Sequence, residues 1–274
     1  MYYSQSRRVT SLGYNGSYMP SLLEGKSALV LGVANRWSLA YAIAKAFHRE
    51  GAALTLTYQG ERQSSAAQEI AAELGGCRLL ACDVSDQQEI DSMVAALKQT
   101  SRPLDVVVHS IAFANREDLS RPFVETSRAG YLLAQEISVF SLVAIARATA
   151  PLMTAGGSVI TLTYLGATRV VPNYNVMGVA KAALEAAMRY LASDLGPAGV
   201  RVNAISAGPV KTVSAKGVKD FSRMLECVAE RAPLRRNCTP EEVADAAVFL
   251  AGDLSRGVTA NVLYVDAGYQ VMGM

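Results

Sequence analysis

From Lys26 onward, short runs of β-branched and aliphatic residues alternate with amphipathic stretches of helical length. That alternation is the mark of a parallel sheet, with strands buried on both faces and helices covering each side. Runs at 28–33, 53–58, 78–82, 106–110, 158–163, 201–205 and 262–265 predict seven strands, and helices are expected at 39–49, 64–74, 87–99, 130–153, 177–195 and 240–250. Two helices have readable starts. Asp86 can cap the third, and Thr239, Pro240 and Glu242 read as a capping residue, a proline at the first helical position and a third-position glutamate. All seven strands fit one sheet, so residues 21–274 are expected to form a single α/β domain.

Two segments stand outside the alternation. Residues 1–20, rich in Tyr, Ser, Gly and Arg without periodicity, read as a flexible extension or a cloning remnant. Residues 211–237, after the sixth strand, are longer than an ordinary α/β connection and are expected to form a substrate lid. Within it Val213, Val218, Phe221, Met224 and Leu225 are spaced for a short helix that covers an apolar ligand, ordinary packing of an insertion being the alternative.

Composition narrows the function classes. Apolar residues make up 51% and charged ones 18%, the balance of a packed globular protein. The net charge of +2 is spread without a basic run, so nucleic acid is not an expected partner. No apolar run reaches the roughly 18 residues of a membrane span, and residues 1–20 lack the apolar centre of a signal peptide, so a soluble, cytoplasmic protein is expected, with no membrane partner. Cys77, Cys82, Cys227 and Cys238 show no CxxC spacing and read as reduced thiols. With only His48 and His109, no metal site is expected; both read as structural, His109 as a packed imidazole at the end of a strand.

The first strand runs into Gly32-Val33-Ala34-Asn35-Arg36-Trp37-Ser38-Leu39, where a nucleotide-binding chain needs a tight turn presenting backbone N–H groups to phosphate. Gly32 can supply the turn, although Ala34 stands at the second glycine of GxGxxG and a plain strand-to-helix turn would look similar. Its context favours a Rossmann-like, doubly wound domain, because the helix that follows would turn its N-terminus toward a pyrophosphate, with Ser38 adding a hydroxyl. Gln59 then ends the second strand, where the adenosine ribose is held. Asp83 and Val84 end the third, where a carboxylate can accept from adenine; capping of a local turn is the alternative for Asp83. The small-residue turn 110–114 would pass beneath the reactive end of the cofactor. Tyr164 follows the fifth strand, and Tyr174 lies about two helical turns before Lys181. A free tyrosine makes a poor acid–base group unless a cation and an oxidised nicotinamide stabilise its anion, and Lys181 can supply the cation's field. A surface tyrosine with a solvated lysine is the alternative.

At these residues the chain resembles the short-chain dehydrogenase/reductase superfamily and, within it, the bacterial enoyl-acyl carrier protein reductases. The resemblance covers 22–272 and rests most on Tyr164-Leu165-Gly166, on Asn173 to Gly178 with Ala180-Lys181, and on Arg201 to Pro209. Ordinary superfamily members leave three residues between tyrosine and lysine; here Met177 holds that position and the longer spacing runs from Tyr174. The resemblance implies NADH/NAD+ held by Gly32, Ser38, Leu39, Gln59, Asp83, Val84, Ile111, Lys181 and Val210, Lys211, Thr212, Val213 and Ser214. It implies catalysis by Tyr174 with Lys181 and Tyr164, contact of Ala114 with the acyl substrate, and a homotetramer. It further implies an acyl carrier protein as partner, received by Lys211, Lys216, Lys219, Arg223, Arg235 and Arg236 unless these are a solvated face. Two other classes stay open: a different dinucleotide-dependent reductase, such as a 3-oxoacyl thioester reductase, and a non-catalytic dinucleotide-sensing scaffold.

Neutral Gln59 and acidic Glu61 follow the second strand before Arg62, so a 2′-phosphate would meet a carboxylate before a cation. NADH is expected to exceed NADPH in kcat/KM at one salt concentration, with some NADPH activity remaining; an equal or higher NADPH value would overturn this.

Overall fold

The computed structural model describes residues 21–100, 102–212 and 219–273. The expected extension at 1–20 lies outside them. Strands β1 (Ser27–Leu31), β2 (Ala53–Tyr58), β3 (Arg78–Ala81), β4 (Val106–His109), β5 (Gly157–Thr163), β6 (Val200–Ala207) and β7 (Val262–Val265) form one sheet in the order β3-β2-β1-β4-β5-β6-β7. All six pairings are parallel, as the alternation predicted.

Strand periodicity decides what packs on which face. Ala28, Val30, Val106 and Val108 point to one side, against Ile43 and Phe47 of α1 (Leu39–Arg49). Val243 and Val248 of α9 (Pro240–Ala251) complete that layer. Leu29, Leu31 and Val107 point to the other side, against Ile90 and Met93 of α3 (Gln87–Lys98) and Leu184 and Met188 of α7 (Asn175–Leu195). Each large aliphatic or aromatic side chain buried in this way stabilises the fold by about 1.5–3 kcal/mol. The predicted caps form: Asp86 accepts from Gln88 N at 2.8 Å, and Thr239 and Glu242 close a reciprocal box ahead of α9. α2 (Gly60–Glu73) starts four residues before the predicted 64, because Glu61 and Gln63 continue its polar first turn behind Gly60.

The long helix predicted at 130–153 is broken into three. α5 (Arg128–Gln135) widens into a π-helical turn, Glu136–Phe140, before α6 (Ser141–Thr149) resumes. The cause is polar. Ser138 Oγ takes the N–H of Phe113 at 3.0 Å and donates to its carbonyl at 3.1 Å. Ser141 Oγ donates to Ile137 O at 2.6 Å and meets His109 Nε2 at 2.8 Å. Both serines reach the segment after β4 only if the helix carries an extra residue in this turn.

By length and composition, the stretch 128–152 is apolar enough to cross a membrane, contrary to the expectation that no run would be. Half of it is buried in the fold, where Leu142 and Ile145 pack with α3 and α7 as part of the core. A short helix, α4 (Arg116–Ser120), was not predicted; five residues are too few to show a period. Within the segment expected to form a lid, the described residues carry a helix, α8 (Phe221–Arg231).

Candidate active site

The carboxyl ends of β1 and β4 diverge to helices on opposite sides of the sheet, and a cleft opens there, as expected at the switch point of a doubly wound sheet. Gly32 leaves β1 with φ +87°. A Cβ on it would lie 2.2 Å from Ser110 O, so only glycine lets the two strand ends abut. Ser38 caps α1, accepting from Tyr41 N at 3.1 Å while its hydroxyl donates to Asn35 O at 2.8 Å. The hydroxyl is therefore engaged in the cap that holds the helix N-terminus toward the cleft.

Two cavities share this cleft and meet at Leu39, Leu162 and Lys181. The first, of 630 Å3, runs over β1, β2 and β3 and is lined by Gly32, Ser38, Gln59, Asp83, Val84 and Ile111. Gln59 Nε2 donates to Asp83 Oδ2 at 2.7 Å, and Asp83 Oδ1 takes the N–H and hydroxyl of Ser85 at 2.9 and 2.7 Å. Burial alone would raise the Asp83 carboxyl; these hydrogen bonds outweigh it and hold the group below its ordinary value. Asp83 thus caps a local turn and faces the cavity at once. Glu61 and Arg62 do not line this cavity, so the carboxylate expected beside the 2′-position is set back from it, whereas Gln63, which the sequence did not single out, does line it.

The second cavity, of 490 Å3, runs over β5 and β6 and is mainly apolar, lined by Ala114, Leu119, Met177, Val210, Phe221 and Met224 among others. Tyr164 and Tyr174 project into it, their rings packed edge to face with centroids 4.9 Å apart. A Cβ on Gly166 would come within 2.5 Å of Tyr174 Cδ1, so the close seat of that ring requires the glycine of the Tyr-Leu-Gly turn. Asn173 and Asn175, on either side of Tyr174, have φ of +62° and +35°. Such strain persists where the surroundings enforce it. Here Asn175 Nδ2 is held by the carbonyls of Leu119 and Arg121 at 3.0 and 2.6 Å.

Burial pushes both tyrosine hydroxyls above their ordinary value, Tyr174 the more strongly, so each is a neutral O–H donor across the working pH range. In the chain by itself, loss of solvent is the largest influence on both hydroxyls. Tyr164 Oη donates to Met224 Sδ at 3.1 Å, a weak acceptor that a ligand oxygen can displace. Lys181 is buried at the junction of the cavities, donates to Leu162 O at 2.7 Å and is brought down to about 8 by burial, which the charge of Glu185 partly offsets. His109, fully buried between Thr161 and Ser141, is pushed down to about 3 by burial and by Lys181; it stays neutral and structural, as the sequence reading had it.

Among the remaining expected cofactor contacts, Thr212 lines both cavities, Lys211 is exposed and lines neither, and Val213 and Ser214 lie outside the described residues. Of the proposed carrier-docking cations, Arg236 pairs with Glu242 at 2.6 Å and Arg235 with the carbonyl of Glu230, and both are exposed. Lys219 and Arg223 are exposed near the lid, and Lys216 lies outside the described residues. The sequence reading missed Arg116, Leu119 and Ile137 as lining residues. They sit on the unpredicted α4 and on the π-helical turn, which left no periodic signal.

A family model described as Enoyl-(Acyl carrier protein) reductase matches residues 32–270. The enoyl-acyl-carrier-protein reductase (NADH) FabI of Bacillus cereus is 55% identical over 254 residues, covering 92% of this chain and 99% of that protein. Its namesake from Escherichia coli is 47% identical over 253 residues, covering 92% and 97%. Among solved structures, the Bacillus cereus enoyl-acyl carrier protein reductase with NADP+ and indole naphthyridinone superposes with a TM-score of 0.91 at 54% identity, covering 93% of this chain and 100% of that one. The Anaplasma phagocytophilum reductase in complex with NAD gives 0.90 at 46% identity, covering 93% and 98%. Matched by that family model over residues 32–270 and 55% identical to a reductase that it covers almost in full, the chain belongs to the enoyl-(acyl carrier protein) reductase family.

Proposed function

We propose that the chain reduces the trans-2 double bond of an enoyl thioester carried by an acyl carrier protein, with NADH as reductant, in fatty acid synthesis in the cytoplasm. The observation that carries this reading is the junction itself: a polar cavity of dinucleotide type and an apolar cavity meet at one buried lysine, with two protonated tyrosines lining the apolar side. The residues fit the cofactor. Gly32 brings the end of β1 against the turn after β4 at the floor of the cavity, the capped N-terminus of α1 offers amides to phosphate, and Asp83 presents a carboxylate at the adenosine end.

When bound, NADH supplies the hydride to the β-carbon of the enoyl group. Negative charge then develops on the thioester oxygen, and Tyr174, held neutral by burial, donates its O–H to that oxygen. One preorganised donor of this kind lowers a barrier by about 3–4 kcal/mol. Lys181 leaves Leu162 O to hold the ribose hydroxyls of the nicotinamide half and adds a positive field. Tyr164 exchanges its thioether partner for the substrate side and shapes the site or takes part in protonation. Gly32, Ser38, Leu39, Gln59, Asp83, Val84, Ile111 and Val210 with Thr212 contact the cofactor, and Ala114 contacts the acyl group. Phe221 and Met224 close the apolar cavity against water. The exposed Lys219, Arg223, Arg235 and Arg236 can receive an acidic carrier. The apolar segment 262–274 and the kinship with the family support a homotetramer.

Loss of NADH absorbance with a crotonyl thioester, and not with an acetoacetyl thioester, tests the reading against a 3-oxoacyl thioester reductase; no loss with either would leave a binding scaffold. Tyr174→Phe is expected to lower kcat by about two orders of magnitude with unchanged NADH affinity, whereas Lys181→Ala weakens NADH binding in calorimetry as well as rate. Replacing Phe221 and Met224 together by Ser should raise KM in proportion to acyl chain length; equal losses for short and long substrates would assign the helix to packing alone. Light scattering should give a tetramer mass, and a monomer at working concentration would contradict the assembly.

A further inference from the structure

Three separate contacts tie the end of β5 and the residue after it to α7 and the residue before it. Leu162 O takes the ammonium of Lys181 at 2.7 Å, Tyr164 packs on Tyr174, and Thr163 Oγ1 donates to Glu185 Oε1 at 2.7 Å. The first two contacts belong to the site already described. The third joins two side chains that are both buried, Thr163 at 4% and Glu185 at 6% exposure; Thr163 lines the apolar cavity and Glu185 lines neither. A buried carboxylate is costly to keep unless its charge is used or paired. Glu185 lies one helical turn beyond Lys181 on α7, where side chains four residues apart are neighbours.

Resting on the reductase reading above, we propose that Glu185 is a positioning residue for the reduction: anchored to the end of β5 through Thr163, its carboxylate stands one helical turn from Lys181 and keeps that side chain a cation where the two cavities meet. The other groups around Lys181 cannot do this. His109 on β4 is neutral and spent on Thr161 and Ser141, and Tyr164 after β5 and Tyr174 before α7 are neutral phenols. Asp266, after β7, uses its oxygens on the N–H groups of Gly268 and Gln270, and the turn after β6 at Ala207, Gly208 and Pro209 carries no charge. Burial lowers the Lys181 ammonium to about 8, and Glu185 is the group that opposes the fall. The sign follows: the cation is present below that value and lost as pH rises through it, and without the carboxylate the loss comes at lower pH.

Glu185→Gln keeps the size of the side chain and an oxygen for Thr163 while removing the charge. NADH affinity by calorimetry and kcat/KM with a crotonyl thioester, each followed from about pH 6 to about pH 9.5, should show the alkaline limb moved acidward by about one unit with the acid-side plateau retained. Limbs that superpose on the wild type would overturn the role, since mere packing would not move a pH profile. Should this variant fail to fold, Thr163→Val tests the anchor: the charge stays, so the limb is expected at its wild-type position with a lowered kcat, and a wild-type kcat would refute it. If the wild-type protein binds NADH but does not consume it with the enoyl thioester, the reductase reading fails, and the affinity profile alone then decides the charge role of Glu185.

Discussion

Everything at the site depends on how closely β1 and β4 approach each other at their carboxyl ends. Their backbones nearly touch where Gly32 meets Ser110 O, and no side chain can stand between them. From that point β1 leads to α1 on one face, and the turn after β4 is gripped by Ser138 from the other. The cleft is the space left between these departures. Its polar half is walled by the ends of β1, β2 and β3 and its apolar half by those of β5 and β6, so the sheet order itself sets a nucleotide beside a lipid-like ligand.

Burial governs the titrating groups around the apolar half. Loss of solvent keeps Tyr164 and Tyr174 protonated, keeps His109 neutral, and lowers the Lys181 ammonium against the charge of Glu185. One physical cause therefore prepares the hydrogen-bond donors and threatens the cation. The strained φ values of Asn173 and Asn175 belong to the same arrangement, since they turn the tyrosine into the cavity at the cost of an unfavoured backbone that Asn175 secures through α4.

Much of this was legible in the sequence where the signal is periodic or punctuated. The strand runs show both faces of each strand apolar, so their number and parallel pairing could be read directly, and the Thr239 capping box marked the start of α9 to the residue. Gly32, Ser38, Gln59, Asp83 and the Tyr174 and Lys181 pair were readable because each sits at a fixed distance from a strand or helix end. What could not be read depends on contacts distant in sequence. The π-helical turn answers to Phe113 and His109, α4 is held by Asn175, and Glu185 looks like any polar residue of an amphipathic helix until Thr163 is seen beside it. Lys211 is exposed and lines neither cavity, and the contacts of Arg235 with Glu230 and of Arg236 with Glu242 left no signal in the sequence.

The π-helical turn at Glu136–Phe140 also sets a rule for the length of this chain. A π-helical turn takes up one residue more than an α-helical turn while leaving the helices on either side on nearly the same faces. Leu142 and Ile145 of α6 would therefore keep their places in the core without the extra residue, and what that residue supplies is the reach of Ser138 to Phe113, which borders both cavities. A single-residue deletion here would spare the core layer and release the turn after β4, which ties the number of residues in one helical turn to the shape of the cleft.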